Sequence, residues 1–385
     1  MLMSLFTTLA TALPIALSVG PSSRTPAVAP RRYLVTGGRG FIGRHLLRRL
    51  VESGAQVHAT TRSTTPPQLS GVSWWSIDLT DTAATEHLIN QVRPDVVVHL
   101  ASRADGTRQL DAVLPILTDN LLGTVSVLSA AARLPQCKVI VAGSVEDGGG
   151  GRHPDVHSPY AASKAATSTY TTLFRDLWQL NVTVLRLAMV YGPDDPNSHR
   201  LVPSVIAAFR DGRAPSITSG TRMIDWIHVD DVVDALLAAS SAPPTVVDIG
   251  SGKLVSIRDT VELIAQAMAT PILPEYGGMA DRPQERNLRA DPGPARKTLH
   301  WRPTVTLPAG IAHTVAHSTA PDHPLPAQPG PARAHHQDDV VGCGTAVNRP
   351  VPVSGRRGGE RSSAVCGGRE QGRPGEQRAT RDPRR

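Results

Sequence analysis

The chain has 385 residues, of which 40% are hydrophobic and 19% are charged, and its formal net charge is +7. The apolar content suffices for a large core, which excludes a wholly disordered chain, and the length favours two domains or one large α/β domain with an attached lobe. No uninterrupted apolar run approaches the roughly 20 residues of a spanning helix, so the sequence indicates no transmembrane helix.

The positive charge is concentrated in the C-terminal segment. Residues 319–385 contain 11 Arg, no Lys and 7 acidic residues, with 10 Gly, 9 Pro and no aromatic residue. Such a segment cannot bury enough apolar surface to offset the entropy lost on ordering, so we predict a disordered Arg/Gly/Pro-rich tail. The tail has no aromatic side chains to stack on bases, which disfavours a nucleic-acid partner.

The N-terminal segment and the cysteines bear on the cell compartment. Residues 2–19 are apolar and the first basic residue, Arg24, follows them, whereas a secretory signal carries positive charge before its apolar segment. We interpret residues 1–30 as an apolar extension outside the core, with export as the alternative. Cys137, Cys343 and Cys366 form no CxxC pair, so we predict no disulfide framework and no metal site, and a cytoplasmic location.

From Arg31 onwards, short β-rich segments alternate with helical ones. The predicted strands are 33–37, 55–61, 72–78, 95–101, 138–144 and 182–188. The predicted helices are 41–53, 82–91, 112–134 and 159–180. Repeated βα units predict an α/β fold with a doubly wound, mostly parallel sheet and helices on both faces.

After Tyr191 the alternation loosens, which indicates a smaller lobe. Asp230 and Asp231 precede a further helical segment, and we interpret them as helix caps rather than catalytic acids. The predicted domains are 31–192 for the doubly wound domain, with returns to it near 226–251, and 193–225 with 252–318 for the lobe.

A glycine-rich turn follows the first strand. Gly37 permits a tight turn, Gly40 lets the backbone approach a pyrophosphate, and Gly43 allows close packing of the helix that begins here. The free N–H groups of that helix would face the anion, so the segment predicts a dinucleotide site.

Residues 36–43 (TGGRGFIG) resemble the TGxxGFxG signature of the extended short-chain dehydrogenase/reductases, the NAD-dependent epimerase/dehydratase family that modifies nucleotide sugars. The resemblance extends over residues 31–316 and includes Tyr191-Gly192-Pro193, 225–231 and 299–311. It implies a Rossmann domain with a smaller C-terminal substrate-binding lobe, and a homodimer formed through the helices near 112–134 and 159–180.

The resemblance also implies a set of cofactor-binding residues. Besides the catalytic residues named below, these are Gly37, Gly40, Phe41, Ile42, Gly43, Asp78, Leu79, Leu100, Ala101, Ser102 and Asn120. The choice between cofactors is read at the end of the second strand, where Thr61 and Arg62 replace the carboxylate that would bind the ribose 2′-hydroxyl. A guanidinium accommodates a 2′-phosphate, so Arg62 favours NADP over NAD.

Three residues form the predicted catalytic group. Tyr160 and Lys164 are separated by four residues near the start of a helix and share one face, and Ser144 ends the preceding strand. A cation beside a phenol favours the phenolate, so we expect Lys164 to make Tyr160 a proton donor and acceptor near neutral pH. In the family that the chain resembles, such a Ser-Tyr-Lys triad accompanies hydride transfer.

The residues after Ser144 depart from one branch of the family. Its 4,6-dehydratases carry a Thr-Asp-Glu run, whereas this chain has Ser144, Val145 and Glu146, and Val145 donates no proton. Glu146 remains a candidate base. The run is similar to that of nucleotide-sugar 4-ketoreductases, where no water is eliminated.

Substrate residues are inferred from the same resemblance. Arg282 resembles the diphosphate-binding arginine, and a forked donor suits phosphate oxygens. Arg222 replaces a second family arginine, and Met189 stands where the family has Asn before its VYGP motif. We therefore expect an NAD(P)-dependent 4-epimerase or 4-ketoreductase of a nucleotide-diphosphate sugar, with a 4,6-dehydratase or a non-catalytic dinucleotide-sensing or RNA-binding relative as alternatives.

Overall fold

The computed structural model describes residues 31–318 apart from 66, 68, 151–155 and 283–285, and apart from the side chains of 149 and 150. The predictions for the extension at residues 1–30 and for the tail at residues 319–385 therefore lie outside the described residues.

A seven-stranded parallel sheet forms the centre of the fold. Its strands are β1 (Arg32–Thr36), β2 (Gln56–Thr61), β3 (Val72–Ser76), β4 (Val96–His99), β5 (Lys138–Ser144), β6 (Asn181–Leu187) and β10 (Val246–Ile249). Their order across the sheet is β10-β6-β5-β4-β1-β2-β3. The central strand β4 begins with three consecutive buried valines, as expected of a parallel sheet covered on both faces. The predicted doubly wound Rossmann fold is confirmed.

Helices cover both faces of this sheet. On one face lie α1 (Phe41–Glu52) and α7 (Val229–Ala239), whose leucines and valines pack on β1 and β6. On the other face lie α2 (Thr82–Val92), α4 (Gly123–Ala131) and α5 (Pro159–Trp178). Helix α5 begins at the side-chain cap of Ser158, with Pro159 in its first turn, and ends where Gln179 takes a left-handed conformation with φ 53°. It is therefore two residues shorter than predicted.

The helix predicted at 112–134 has two α-helical parts joined by a wider turn. These parts are α3 (Val113–Leu117) and α4, and the turn between them, Thr118–Leu122, is a π-helical turn that accommodates one extra residue. By length and composition alone, Leu110–Ala131 could cross a membrane, although polar residues interrupt its apolar runs in the sequence. Ile116, Val127 and Leu128 of this segment are buried in the fold, whereas Leu110 and Leu114 are exposed.

The remaining elements form two small sheets and a third apolar cluster. One sheet has the order β11 (Leu254–Ser256), β9 (Met223–His228), β7 (Met189–Tyr191), and the other pairs β12 (Glu275–Tyr276) with β8 (Ser216–Ile217). The cluster is built largely on α6 (Leu201–Arg210), α8 (Ile257–Ala267) and α10 (Leu307–Ser318), and α9 (Gly293–Thr298) precedes α10. The domain boundaries given above stay predictions.

Two buried carboxylates hold distant segments of the chain together. Asp225 accepts the amides of Ser251, Gly252 and Ala290 at 2.8–3.0 Å. The Asp231 carboxylate accepts the amide and hydroxyl of Thr304 and the amide of Val305 at 2.7–3.0 Å. The interpretation of Asp230 and Asp231 as helix caps was wrong, because the side chain that caps α7 is that of His228, whose Nδ1 accepts the Asp230 amide.

Candidate active site

The glycine-rich turn closes tightly at the carboxyl end of β1. Gly37 has φ 68°, and a Cβ on it would lie 2.7 Å from the amide nitrogen of Ala101. A Cβ on Gly43 would collide with the carbonyl oxygen of Gly37. Among the described residues no side chain caps α1 at Gly40, so the first amides of this helix, those of Phe41 and Ile42 included, remain available to an anion. The turn fits a dinucleotide pyrophosphate.

A buried hydrogen-bond chain fixes the end of β4 beside this turn. His99 Nδ1 lies 2.8 Å from the Thr36 hydroxyl, and His99 Nε2 lies 2.9 Å from the Thr124 hydroxyl. Because Thr124 donates to the Asn120 carbonyl oxygen, Nε2 must donate to Thr124, so Nδ1 accepts from Thr36. Burial lowers the pKa of His99 to about 3, which keeps the ring neutral.

Asn120 connects the end of β4 to α5. Its Oδ1 accepts the Ser102 hydroxyl at 3.1 Å and the Arg103 amide at 2.6 Å, while its Nδ2 donates to the Ser163 hydroxyl at 2.9 Å. Asn120 lies in the π-helical turn. The wide turn therefore positions Leu100, Ala101 and Ser102 against the helix that carries the predicted catalytic residues.

Two of the predicted cofactor-binding residues, Asp78 and Leu79, follow β3 at the far edge of the sheet. Leu79 is buried, and Asp78 is exposed after β3. The Asp78 carboxylate accepts the amide and hydroxyl of Thr80 at 2.9 and 2.8 Å, and these hydrogen bonds lower the pKa of Asp78. Asp78 thus stays ionised and fixed in place.

Arg62 is paired with a carboxylate that the sequence pattern did not reveal. Its Nη1 lies 3.3 Å from Oδ2 of Asp119, and Arg103 Nε binds the same oxygen at 2.9 Å. The Arg62 side chain is 63% exposed, so its guanidinium is held at the surface beside the end of β2. If NADP binds, its 2′-phosphate and the Asp119 carboxylate would share the Arg62 guanidinium.

The predicted catalytic residues come together at the carboxyl end of β5. Ser144 ends the strand and is hydrogen-bonded with the Tyr160 side chain. Lys164 Nζ donates to the Ala142 carbonyl oxygen at 2.8 Å and lies 5.6 Å from the centroid of the Tyr160 ring. The side chains of the triad are thus held by one strand and one helix.

The expected effect of Lys164 on Tyr160 was wrong. Burial and, to a smaller extent, the charge of Glu146 raise the pKa of Tyr160 to about 12, against the opposing effects of Ser144 and Arg200. Burial also lowers the pKa of Lys164 to about 8, which the charge of Asp147 opposes. At neutral pH the Tyr160 phenol is therefore protonated, and the Lys164 amine beside it is largely in its charged ammonium form.

Two further residues near the triad are not marked by any motif in the sequence. Asp147 follows Glu146 in a 3-10 turn and is buried, although nothing in its sequence context distinguishes it from a solvated acid. Arg200, whose charge acts on Tyr160, is paired with the buried Asp195 at 3.2 Å. The backbone amide of Glu146 donates to the Ser144 hydroxyl at 3.2 Å, and the role of Glu146 as a base stays a prediction.

The predicted substrate residues lie on three separate elements. Met189 is half-buried in β7, directly opposite Trp226 of β9. The Arg222 carbonyl accepts the Ile257 amide just before β9. The Arg282 guanidinium lies beside Gly106, in the segment after β4. A Cβ placed on that glycine would be 3.7 Å from Nη1 of Arg282. Their role in binding a diphosphate stays a prediction.

Among the described residues, His228, Asp230 and His313 bring possible metal-ligating atoms within 4.8 Å of one another. The lone pair of His228 Nδ1 already accepts the Asp230 amide at 3.3 Å, so the helix cap accounts for the proximity of these two residues.

Comparison with known proteins places this arrangement in a family. Residues 33–250 match the model of the NAD-dependent epimerase/dehydratase family. The chain is 32% identical over 315 residues to UDP-glucose 4-epimerase of Mycolicibacterium smegmatis, an alignment that covers 74% of this chain and 97% of that protein. It is 30% identical over 318 residues to dTDP-6-deoxy-L-talose 4-dehydrogenase (NAD(P)(+)) of Kitasatospora kifunensis, covering 77% and 98%.

A solved structure agrees with these relatives. UDP-glucose 4-epimerase of Thermus thermophilus in complex with NAD matches with a TM-score of 0.67 and 27% identity, covering 74% of this chain and 98% of that one. The chain belongs to the NAD-dependent epimerase/dehydratase family and is an enzyme of the extended short-chain dehydrogenase/reductase type. The family predicted from residues 36–43 is confirmed.

Proposed function

We propose that the chain transfers a hydride at C4 of a nucleotide-diphosphate sugar, either reducing a 4-keto sugar or epimerising C4 through a transient 4-ketone. The observation that carries this proposal is the approach of Ser144, Tyr160 and Lys164 to one another at the carboxyl end of β5, beside the glycine-rich turn.

The three side chains have distinct roles in this reaction. When bound, the dinucleotide supplies the hydride that reduces C4, or accepts it in the reverse direction. Tyr160 donates its phenolic proton to the C4 oxygen during reduction, and Ser144 donates a hydrogen bond to the same oxygen. Lys164 stabilises the phenolate that remains. Because the pKa of Tyr160 is raised to about 12, the phenol is protonated at neutral pH, as reduction requires.

Val145 and Arg62 favour reduction of a 4-keto sugar by NADPH. Val145 follows Ser144 at the position where a Thr-Asp-Glu dehydratase needs an acid. Arg62 stands at the end of β2, where a carboxylate would select NAD. Both the Kitasatospora relative, named as an NAD(P)(+) enzyme, and the NAD-bound Thermus structure are compatible with a dinucleotide at the glycine-rich turn.

A second candidate, 4,6-dehydration, is favoured by the position of Glu146. Glu146 follows Ser144 by two residues, and its charge raises the pKa of Tyr160. A carboxylate there is placed to act as a base on the sugar ring.

The proposal is tested by incubating the full chain with three substrate and cofactor mixtures. A dTDP-4-keto-6-deoxyhexose with NADPH or NADH reports reduction by loss of the reduced nicotinamide's absorbance, and we expect NADPH to be consumed faster. UDP-glucose with NAD reports epimerisation by conversion to its C4 epimer without net loss of cofactor. With dTDP-glucose, a 4-keto-6-deoxy product would support the dehydratase instead, and inactivity in all three mixtures would refute the proposal.

We also propose that the enzyme acts in the cytoplasm as a homodimer joined through α3, α4 and α5. Leu114 of α3 and Leu177 of α5 are 71% and 64% exposed, and Leu110 in the 3-10 turn just before α3 is 86% exposed. An interface would remove these side chains from water. Leu114→Glu should convert a dimer to a monomer in light scattering, whereas Leu273→Glu, at an equally exposed position on another segment, should not. A wild-type monomer would refute the dimer.

A further inference from the structure

Two guanidinium groups contact one carboxylate beside the predicted dinucleotide site. Arg62 follows β2, and Arg103 lies in the segment after β4. Both contact Oδ2 of Asp119, Arg62 through Nη1 at 3.3 Å and Arg103 through Nε at 2.9 Å. Because β2 and β4 are the two neighbours of β1 in the sheet, these ion pairs join the segments on either side of the strand that leads into the glycine-rich turn.

The backbone of Arg103 is fixed by the same turn that carries Asp119. Asn120 follows Asp119 in the π-helical turn, and its Oδ1 accepts the Arg103 amide at 2.6 Å. Its Nδ2 donates to the Arg103 carbonyl oxygen at 3.2 Å. The guanidinium of Arg103 and the carboxylate of Asp119 are therefore held next to each other before any ligand binds.

This group of three side chains has an excess of positive charge that faces solvent. Two guanidinium groups surround one carboxylate, and the arginine side chains are exposed whereas that of Asp119 is partly buried. Among the described residues, the hydrogen bonds of these two guanidinium groups involve Nη1 of Arg62 and Nε of Arg103. Further N–H groups of both forks can therefore bind an anion.

The anion that fits this position is a phosphate on the 2′-oxygen of the adenosine ribose. The end of the second strand is where that ribose is recognised in a doubly wound fold, so a 2′-substituent would approach Arg62. A phosphate monoester carries up to two negative charges and three acceptor oxygens, so it can bind both forks at once. NAD has a neutral hydroxyl there, which gains little from a second guanidinium.

We propose that Arg103 forms, together with Arg62, a two-arginine site for the 2′-phosphate of NADP, and that the Asp119 carboxylate limits the preference for NADP over NAD by opposing the phosphate charge. The inference deepens the proposed function, because it rests on the use of NADPH as the hydride donor. It assigns Arg103 and Asp119 no contact with the sugar.

Dinucleotide titrations of the full chain test the role of Arg103. Arg103→Ala should raise the Kd for NADPH by about 10-fold, because a charge-assisted contact with the phosphate is lost, while the Kd for NADH changes by less than about twofold. Arg49→Ala is the matched control and should change neither Kd. The Arg49 side chain is 45% exposed, against 43% for Arg103, and it also forms an ion pair of 2.9 Å, with Asp234. Equal weakening of both dinucleotides by Arg103→Ala, or no weakening of either, would overturn the inference.

The charge of Asp119 leads to an expectation of opposite sign. Asp119→Asn keeps an oxygen that can accept from the guanidinium groups but removes the negative charge, so the Kd for NADPH should fall by about threefold to 10-fold while that for NADH stays the same. If both arginines are replaced by alanine, the 2′-phosphate meets Asp119 alone, and NADPH should bind more weakly than NADH. Unchanged NADPH binding by Asp119→Asn, or a double variant that still prefers NADPH, would overturn the proposal.

Two adenosine phosphates separate this inference from the proposed function. Adenosine 2′,5′-bisphosphate and 5′-AMP differ only in the 2′-phosphate, so the wild type should bind the bisphosphate more tightly and Arg103→Ala should remove most of the difference. If the wild type shows this difference but turns over no nucleotide sugar, the proposed function is refuted and the phosphate site stands. If the wild type binds both compounds equally but reduces a 4-keto sugar with NADH, the phosphate site is refuted and hydride transfer at C4 stands.

Discussion

The Lys164 ammonium donates a 2.8 Å hydrogen bond to the carbonyl oxygen of Ala142. This bond ties α5 to the same strand that ends at Ser144, so strand and helix together fix the distance between the hydroxyl and the ammonium. A site built on such elements holds its geometry more closely than one built on loops.

Tyr160→Phe removes the proposed proton donor without changing the ring. We expect kcat to fall by about 100-fold or more, because a positioned acid contributes that much, while the Kd for the dinucleotide changes little. Steady-state kinetics and a dinucleotide titration measure the two effects. Tyr170→Phe, on the exposed side of the same helix, is the matched control and should keep full activity.

The pH dependence of turnover should reflect Lys164. Burial lowers the pKa of Lys164 to about 8, and the charged form stabilises the phenolate, so kcat should fall as the pH rises through about 8. Lys164→Arg carries a charge that does not titrate in this range and should shift the loss to higher pH, even if kcat is lower throughout. A pH profile identical to that of the wild type would contradict the assignment.

Arg62 should determine the preference for NADPH. In Arg62→Ala, the Kd for NADPH should rise by about 10-fold, which corresponds to about 1.4 kcal/mol, while the Kd for NADH changes by less than about twofold. Fluorescence titration of both dinucleotides tests this. Arg133→Ala is the control, because Arg133 is equally exposed, at 61%, and pairs with Glu86 on another helix. Equal weakening of both dinucleotides would contradict a role in selectivity.

Gly43→Ala should impair dinucleotide binding by crowding the glycine-rich turn. The added methyl group would collide with the Gly37 carbonyl, which must then move, so the Kd should rise by at least about 10-fold. Gly123→Ala is the control, because its methyl group would meet Leu79 at an ordinary 3.7 Å in a helix. That variant should bind normally and be slightly more stable.

Thr124→Val should destabilise the fold through His99. Valine leaves the buried Nε2–H of His99 without its acceptor, at a cost of about 1–3 kcal/mol in the free energy of unfolding. Thr169→Val is the control, because that hydroxyl also binds the carbonyl four residues earlier but at an exposed position, so its effect should stay within about 0.5 kcal/mol. Denaturant unfolding measures both free energies, and equal effects would contradict a stabilising role for the buried hydrogen bond between Thr124 and His99.

The fold was predictable because its signals are local. Buried strands such as β4 form continuous β-branched runs, and the glycines between β1 and α1 follow from the turn that they must form. In the sequence, Ser144 ends a predicted strand, and Tyr160 and Lys164 begin the helix that follows it. Because parallel strands end on the same side of a sheet, this sequence order was sufficient to predict that the three residues lie at one sheet edge.

The electrostatics of the site were not predictable from the sequence, because they depend on contacts between distant residues and on burial. Arg62 meets Asp119, 57 residues away, and spacing gives no sign of that pair. The spacing of Tyr160 and Lys164 predicted a lowered pKa for the phenol, but burial and Glu146 raise it. Asp147 reads as a surface acid until the turn that buries it is known.

The partners of Asp225 and Asp231 have a consequence for synthesis on the ribosome. Asp225 is completed by Ala290, 65 residues later, and Asp231 by Thr304, 73 residues later. While the nascent chain still lacks those residues, Asp225 has no Ala290 amide to accept, and Asp231 has neither of its amide partners, Thr304 and Val305. Burying these acids without these partners is costly, so the small sheet should dock only after the segment that contains Thr304 has left the exit tunnel.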